Sequence, residues 1–180
     1  NLASEDCLKQ YFEQEGLSFD WHIIWNKIYK MEIWKKALKH YKNITTHLLM
    51  TEDFAFSTVL FYYARRLTKV SNDCVFYCKH ETTSTSIKDL TFKKFNKNIT
   101  DITTSFDFVE NFLKEVNLYS KYKVKFNKWK CLYANQQKSY VNSSEMTKED
   151  KLKALEMVEK FYPNAEKISN AEYFYTITTD

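Results

Sequence analysis

Four histidines and four cysteines are the side chains of this 180-residue chain best suited to chemistry. Histidine titrates near neutral pH, so two of them within reach of one substrate can serve as acid and base. His22, His40, His47 and His80 are dispersed, and no His-Glu-x-x-His or other metal spacing links them. A two-histidine nuclease built from His22 or His47 together with His80 is the enzyme these residues would allow, but no spacing brings the partners together. The adjacent carboxylates Glu52 and Asp53 read more simply as a helix start or a loop charge. Cys74-x-x-x-Cys78-x-His80 resembles half of a zinc site, yet no second pair has matching spacing. Gly16 and Pro163 are the single glycine and proline. Phosphate loops, dinucleotide fingerprints and nucleophile elbows need clustered glycines and are therefore excluded. The expectation is a protein that is not an enzyme and carries no metal and no cofactor.

Cys7, Cys74, Cys78 and Cys131 are an even set spread along the chain, which fits two disulfides. Residues 73–78 read as a strand, on which Cys74 and Cys78 would stand about 13 Å apart at roughly 3.3 Å per residue. A disulfide requires Cα atoms within about 7 Å, so each would pair instead with Cys7 or Cys131, in either order. Three Asn-x-Ser/Thr sequons begin at Asn43, Asn98 and Asn142, each placed at the end of an expected element. Together these features predict a secreted, extracellular glycoprotein. No basic-then-apolar segment opens the sequence, as expected of a processed chain or one that never had a signal. The longest apolar run, 54–64, is broken by Ser57 and Thr58, so no membrane span is expected. The net charge of +4 is small and its lysines are dispersed, so no nucleic-acid partner is expected.

The elements that must position these groups follow from apolar spacing. Trp21, Ile24, Trp25, Ile28, Met31, Trp34, Leu38 and Tyr41 recur every three or four residues, which predicts a helix over 21–41 capped by Ser18 or Asp20. Beta-branched and aromatic residues then dominate 46–141. Segments 46–54, 59–65, 74–80, 87–95 and 102–108 read as strands, with 54–67 and 105–118 open to a helical reading as well. Tyr122, Val124 and Phe126 alternate with lysines, and the parity flips before Trp129, Cys131 and Tyr133. A hairpin turn at Asn127-Lys128 would place both sets on one face, and a bulge in one long strand is the alternative. Thr147 opens a second helix over 147–162, with Leu152, Leu155, Val158, Phe161 and Tyr162 as its apolar face and Pro163 as its stop. A short strand over 173–177 ends the series. The expected organisation is a single domain, 1–180: a helical extension 1–45, strands 46–141, a helix 146–162 and the terminal strand.

Trp34-Lys35-Lys36-Ala37-Leu38, followed by Thr46-His47-Leu48-Leu49-Met50-Thr51 and later by Asp73-Cys74-Val75, resembles the opening strands of tick salivary lipocalins. The resemblance covers roughly residues 33–165. It implies an α+β, mainly β fold: a lipocalin-like antiparallel β-barrel with the N-terminal and C-terminal helices packed outside. The Gly-x-Trp of typical lipocalins is missing and no cysteine follows Cys131, so no family ligand residue is carried over. The implied function is a secreted binder of a small apolar or amine ligand, acting on a host's defence or inflammatory mediators. Alternation within the strands nominates Phe76, Phe92, Phe106, Phe108, Tyr122, Phe126 and Trp129 as inward, ligand-facing residues. The second expectation is an effector that binds a host or partner protein through surface loops, with the aromatic interior as scaffold.

Overall fold

The computed structural model describes residues 4–13, 19–42, 44–68 and 89–163. These residues form helices and no β-strand, so the lipocalin-like barrel is overturned. In chain order the helices are α1 (Ser4–Glu13), α2 (Phe19–His22), α3 (Met31–Tyr41), α4 (Glu52–Tyr63), α5 (Phe92–Glu115), α6 (Tyr119–Ser143) and α7 (Lys148–Phe161). Helix α4 lies at the centre, against α1, α2, α3 and α5, while α7 covers α5 and α6. The strand candidates 74–80 and 173–177 lie outside the described residues.

Helix α4 explains how the strand reading arose. Phe54, Ala55, Ser57, Thr58, Val59, Leu60 and Phe61 are all buried, so apolar residues face every direction around the axis. A helix that is apolar all round has no 3.6-residue contrast and cannot be told from a buried strand by period. Its two interior hydroxyls are satisfied, one within the helix and one by α2. Thr58 Oγ1 donates to the Phe54 carbonyl at 2.8 Å, and Ser57 Oγ donates to the His22 carbonyl. Glu52 and Asp53 do begin this helix, beside the positive end of its dipole. The residue before them, Thr51, has φ 60°, a left-handed conformation that is costly for a β-branched side chain.

The predicted hairpin is replaced by the middle of α6. Tyr122, Phe126, Trp129 and Tyr133 follow a helical i, i+4, i+7, i+11 spacing and are all buried. Val124, which alternation grouped with Tyr122 and Phe126, is 73% exposed. The chain does reverse nearby, but at Asn117 rather than at Asn127-Lys128. Asn117 has φ 59°, its N–H donates to the Lys114 carbonyl at 3.1 Å, and the Leu118 N–H reaches back to the Leu113 carbonyl at 2.8 Å. This pair of bonds is a Schellman motif; asparagine, after glycine, is the residue best able to adopt its left-handed position. It ends α5 and sends α6 back along it.

In α5 the alternating set Ile102, Thr104, Phe106 and Phe108 divides. Ile102 and Phe106 join Phe95, Ile99, Val109 and Leu113 on the buried face. Thr104 and Phe108 are half-buried on another side. Thr91 caps the helix by accepting the Lys94 N–H at 3.2 Å. Buried Asp101 fastens the preceding segment to α5: it accepts the Leu49 N–H at 2.9 Å and pairs with Lys97, whose Nζ also donates to the His47 carbonyl at 2.8 Å.

The expected helix over 21–41 is interrupted. Residues 23–30 leave the helix between α2 and α3, and in α3 the inward residues are Ile33, Trp34, Ala37, His40 and Tyr41. Ile28, Met31 and Leu38, which the spacing placed in the core, are 99%, 66% and 52% exposed. Tertiary contact with α4 and the low helix propensity of Ile23, Ile24 and Ile28 override the pattern.

Helix α7 forms where the sequence placed it, with Thr147 Oγ1 accepting the Asp150 N–H at 3.2 Å. Its buried face is Ala154, Val158 and Phe161, and Leu152 is exposed. Thr147→Ala is expected to cost about 1 kcal/mol, read as a lower urea midpoint at unchanged slope.

Candidate functional site

Among the described residues, the nominated aromatic residues divide between the packed core and one open pocket. Trp129, Phe126, Phe106 and Tyr122 are core residues. Trp129 is 1% exposed and stands within 4.8–5.8 Å, centroid to centroid, of the rings of Tyr11, Phe12, His22 and Phe54. Phe106 packs on Phe54, Phe126, Tyr133 and Phe161. Rings at these separations pack the described interior with offset and edge-to-face contacts. Phe92 is half-buried at the start of α5, and Phe76 lies outside the described residues. Phe108 lines an open space.

That space is a solvent-connected pocket of about 420 Å³ between the end of α3 and the C-terminal half of α5. Its lining includes His40 and Ile44 on one side and Thr104, Asp107, Phe108, Asn111, Phe112 and Glu115 on the other. The α5 residues share a face because 104, 107, 108, 111, 112 and 115 are three or four apart. His40 anchors the opposite wall. It is 5% exposed, its Nε2 stands 2.8 Å from the Tyr63 hydroxyl and its Nδ1 stands 3.4 Å from Glu115 Oε1. The Nε2 side is hydrogen-bonded to the Tyr63 hydroxyl, and the Nδ1 side faces the Glu115 carboxylate. The edge of Phe112 meets the His40 ring at a centroid distance of 4.9 Å, which fixes the imidazole further. The result is a carboxylate at the pocket wall, a second carboxylate on Asp107 about two turns before it, and two phenyl rings between.

The sequence reading missed His40, Asp107, Asn111 and Glu115. The signal was present: once α5 is taken as a helix, Thr104, Asp107, Asn111 and Glu115 make a polar stripe beside Phe108 and Phe112. Read as a strand over 102–108, the segment ended before most of that stripe.

The other chemical candidates fall apart. His22 is 2% exposed among the rings of Tyr11, Phe54 and Trp129, and neither ring nitrogen has a hydrogen-bond partner among the described residues. Burial, helped by the positive charge of Lys27, lowers its pKa to about 3, so it stays neutral and cannot serve as an acid-base group near pH 7. His47 is exposed and His80 lies outside the described residues. No group of three potential metal ligands gathers among the described residues.

Cys7 and Cys131 are both buried, on α1 and α6, and no disulfide is seen among the described residues. Cys74 and Cys78, through which both expected pairings run, lie outside them. The sequon at Asn142 is exposed at the end of α6, whereas Asn98 is buried in mid-α5 rather than at an element's end. Asn43 lies outside the described residues. Among the described residues no helix is long and apolar enough to cross a membrane.

No family model, no curated protein and no solved structure matches the chain. The likeness to tick salivary lipocalins therefore has no support beyond the short motifs that suggested it, and the helical fold removes the barrel those motifs implied.

Proposed function

We propose that the protein binds a small organic cation, an amine with an aromatic or short apolar body, in the pocket between α3 and α5. One observation carries this reading: Asp107 and Glu115 stand with Phe108 and Phe112 around a cavity of about 420 Å³. That volume suits a small molecule. An ammonium group entering it exchanges water for carboxylate oxygens and the faces of aromatic rings, the combination that holds organic cations elsewhere in protein chemistry. The residues lining the pocket in the described structure include no lysine or arginine that would neutralise the two acids. A long apolar tail has no such support, because the described aromatic interior is packed. Binding rather than catalysis is favoured by His40: its two nitrogens face Tyr63 and Glu115, and neither is directed at a substrate proton.

Calorimetric titration with phenethylamine and with choline tests the proposal, with phenylpropionate as the anion of matching size. The expected result is measurable binding of at least one cation and none of the anion. Asp107→Asn combined with Glu115→Gln should weaken that binding by about tenfold or more, since hydrogen bonds to charged groups contribute about 1.5–3 kcal/mol. Equal binding of anion and cation, or no cation binding by the wild-type protein, would overturn it. An extracellular setting accompanies this reading. The exposed Asn142 sequon supports it, and glycan mapping of protein expressed through a secretory route tests it at that position.

A further inference from the structure

The outer face of the α2–α3 region carries a second feature, independent of the pocket because it lies on the side of α3 away from His40. Between Trp25 and Lys42 the chain has six lysines and one glutamate, a net of +5 where the whole protein carries +4. Lys30, Lys35, Lys36, Lys39 and Lys42 are all exposed. Among them stand apolar side chains that the fold leaves in water: Ile28 at 99%, Met31 at 66%, Leu38 at 52% and Trp25 at 45%. Along α3 the spacing Met31, Lys35, Leu38, Lys42 puts basic and apolar residues alternately on one outward line. Single exposed apolar residues are ordinary, but four within fourteen residues, inside a stretch of net charge +5, are not.

We infer that this segment seats the protein on an anionic lipid surface, with Trp25, Ile28, Met31 and Leu38 entering the headgroup region and the lysines pairing with lipid phosphates and carboxylates. Charge selects the occupant. A second copy of the chain would bring +5 against +5, whereas an anionic surface gains from each lysine near it. Shape selects between a bilayer and an acidic protein. Ile28 stands out from the irregular segment before α3, and the apolar groups are separated by charged ones rather than merged into a ridge. A protein partner would need a matching hole for each, while the fluid interfacial zone of a bilayer accepts separate side chains and lets the lysine stems lie along them. Tryptophan is also the residue most at home at that depth.

Cosedimentation with phosphatidylcholine vesicles, with and without phosphatidylserine, tests the inference on the full chain. The wild-type protein should bind the phosphatidylserine vesicles and not the neutral ones, and added salt should release it. Ile28→Asp should cut the bound fraction about tenfold or more at unchanged circular dichroism, because a carboxylate replaces the apolar group that enters the interface. Lys35→Glu with Lys36→Glu should do the same. Ile28 is fully exposed, so these variants are expected to fold, and Ile28→Leu should restore binding. Failure of the wild type to bind phosphatidylserine vesicles overturns the inference. So does equal binding to soluble poly-glutamate that Ile28→Asp leaves unchanged, which would mark the segment as a patch for acidic proteins. Neither result bears on amine binding in the pocket.

Discussion

Trp129→Ala is expected to destabilise the protein by about 3–5 kcal/mol, the range for removing a large aromatic residue from a packed core. The side chain is 1% exposed and touches rings from α1, α2 and α4. It therefore links the N-terminal helices to the α5–α6–α7 layer. Alanine would leave a cavity bordered by Tyr11, Phe12, His22 and Phe54, and four rings from three helices cannot all close on it. For a domain of ordinary stability that loss is a large share of the total. Urea unfolding followed by far-ultraviolet circular dichroism measures it as a fall in midpoint. Trp129→Leu, which fills part of the hole, should lose less and stay folded, and its affinity for a bound amine should equal that of the wild type. A carrier whose ligand sits against Trp129 would behave in the opposite way: stability nearly unchanged and affinity reduced. A loss below about 1 kcal/mol on Trp129→Ala would show that the aromatic core is not packed as described.

The same residue shows how much of the fold the sequence displays. Trp129, Phe126 and Tyr122 were legible as inward-facing, and they are. What could not be read was the element that turns them inward. Tyr122, Phe126, Trp129 and Tyr133 satisfy a helical spacing, while Tyr122, Val124 and Phe126 satisfy a strand, and lysines fill the gaps in both. Only the exposure of Val124 separates the two. Helix α4 was harder still, because its burial on all sides erases any period. Where one face stays polar, as in α7, the cap at Thr147 and the stop near Pro163 were enough to place the helix. The pocket followed the fate of its element. Asp107, Asn111 and Glu115 become neighbours only on a helix, and His40 reaches them only because α3 is turned away from the stripe that Met31 and Leu38 suggested. The aromatic content itself tilted the reading toward strands, since tyrosine, phenylalanine and tryptophan favour sheets by propensity but accept helices when packing decides.

His22→Phe is expected to make the protein more stable in acid than the wild type. Burial holds the folded His22 near a pKa of about 3, against 6.5 for the ordinary side chain. Between those values the unfolded chain binds a proton that the folded protein does not. The contribution of His22 is therefore neutral above 6.5 and becomes unfavourable as pH falls, by about 1.4 kcal/mol for each unit. Asp53 opposes it. Burial, with the neighbouring Glu52, raises its folded pKa from 3.8 to about 6, so its protonated form favours the folded state at low pH and that advantage is lost as pH rises through 6. Over most of the interval from 4 to 6 the two slopes have opposite signs, and the wild-type protein should show only a shallow dependence there. Phenylalanine fits among the rings of Tyr11, Phe54 and Trp129 and removes two buried nitrogens that have no partner among the described residues. At pH 7 the variant should match the wild type within about 1 kcal/mol, since the gain from losing those nitrogens offsets a slightly larger ring. At pH 4 it should be more stable than the wild type by about 3 kcal/mol. Its own stability should then rise on acidification through 6, the slope of Asp53 having been unmasked. Urea midpoints taken at intervals from pH 7 to pH 4 decide the matter. A constant difference between the two proteins across that range would mean that His22 takes up its proton in the folded state, and that the ring is not sealed among the aromatics as described.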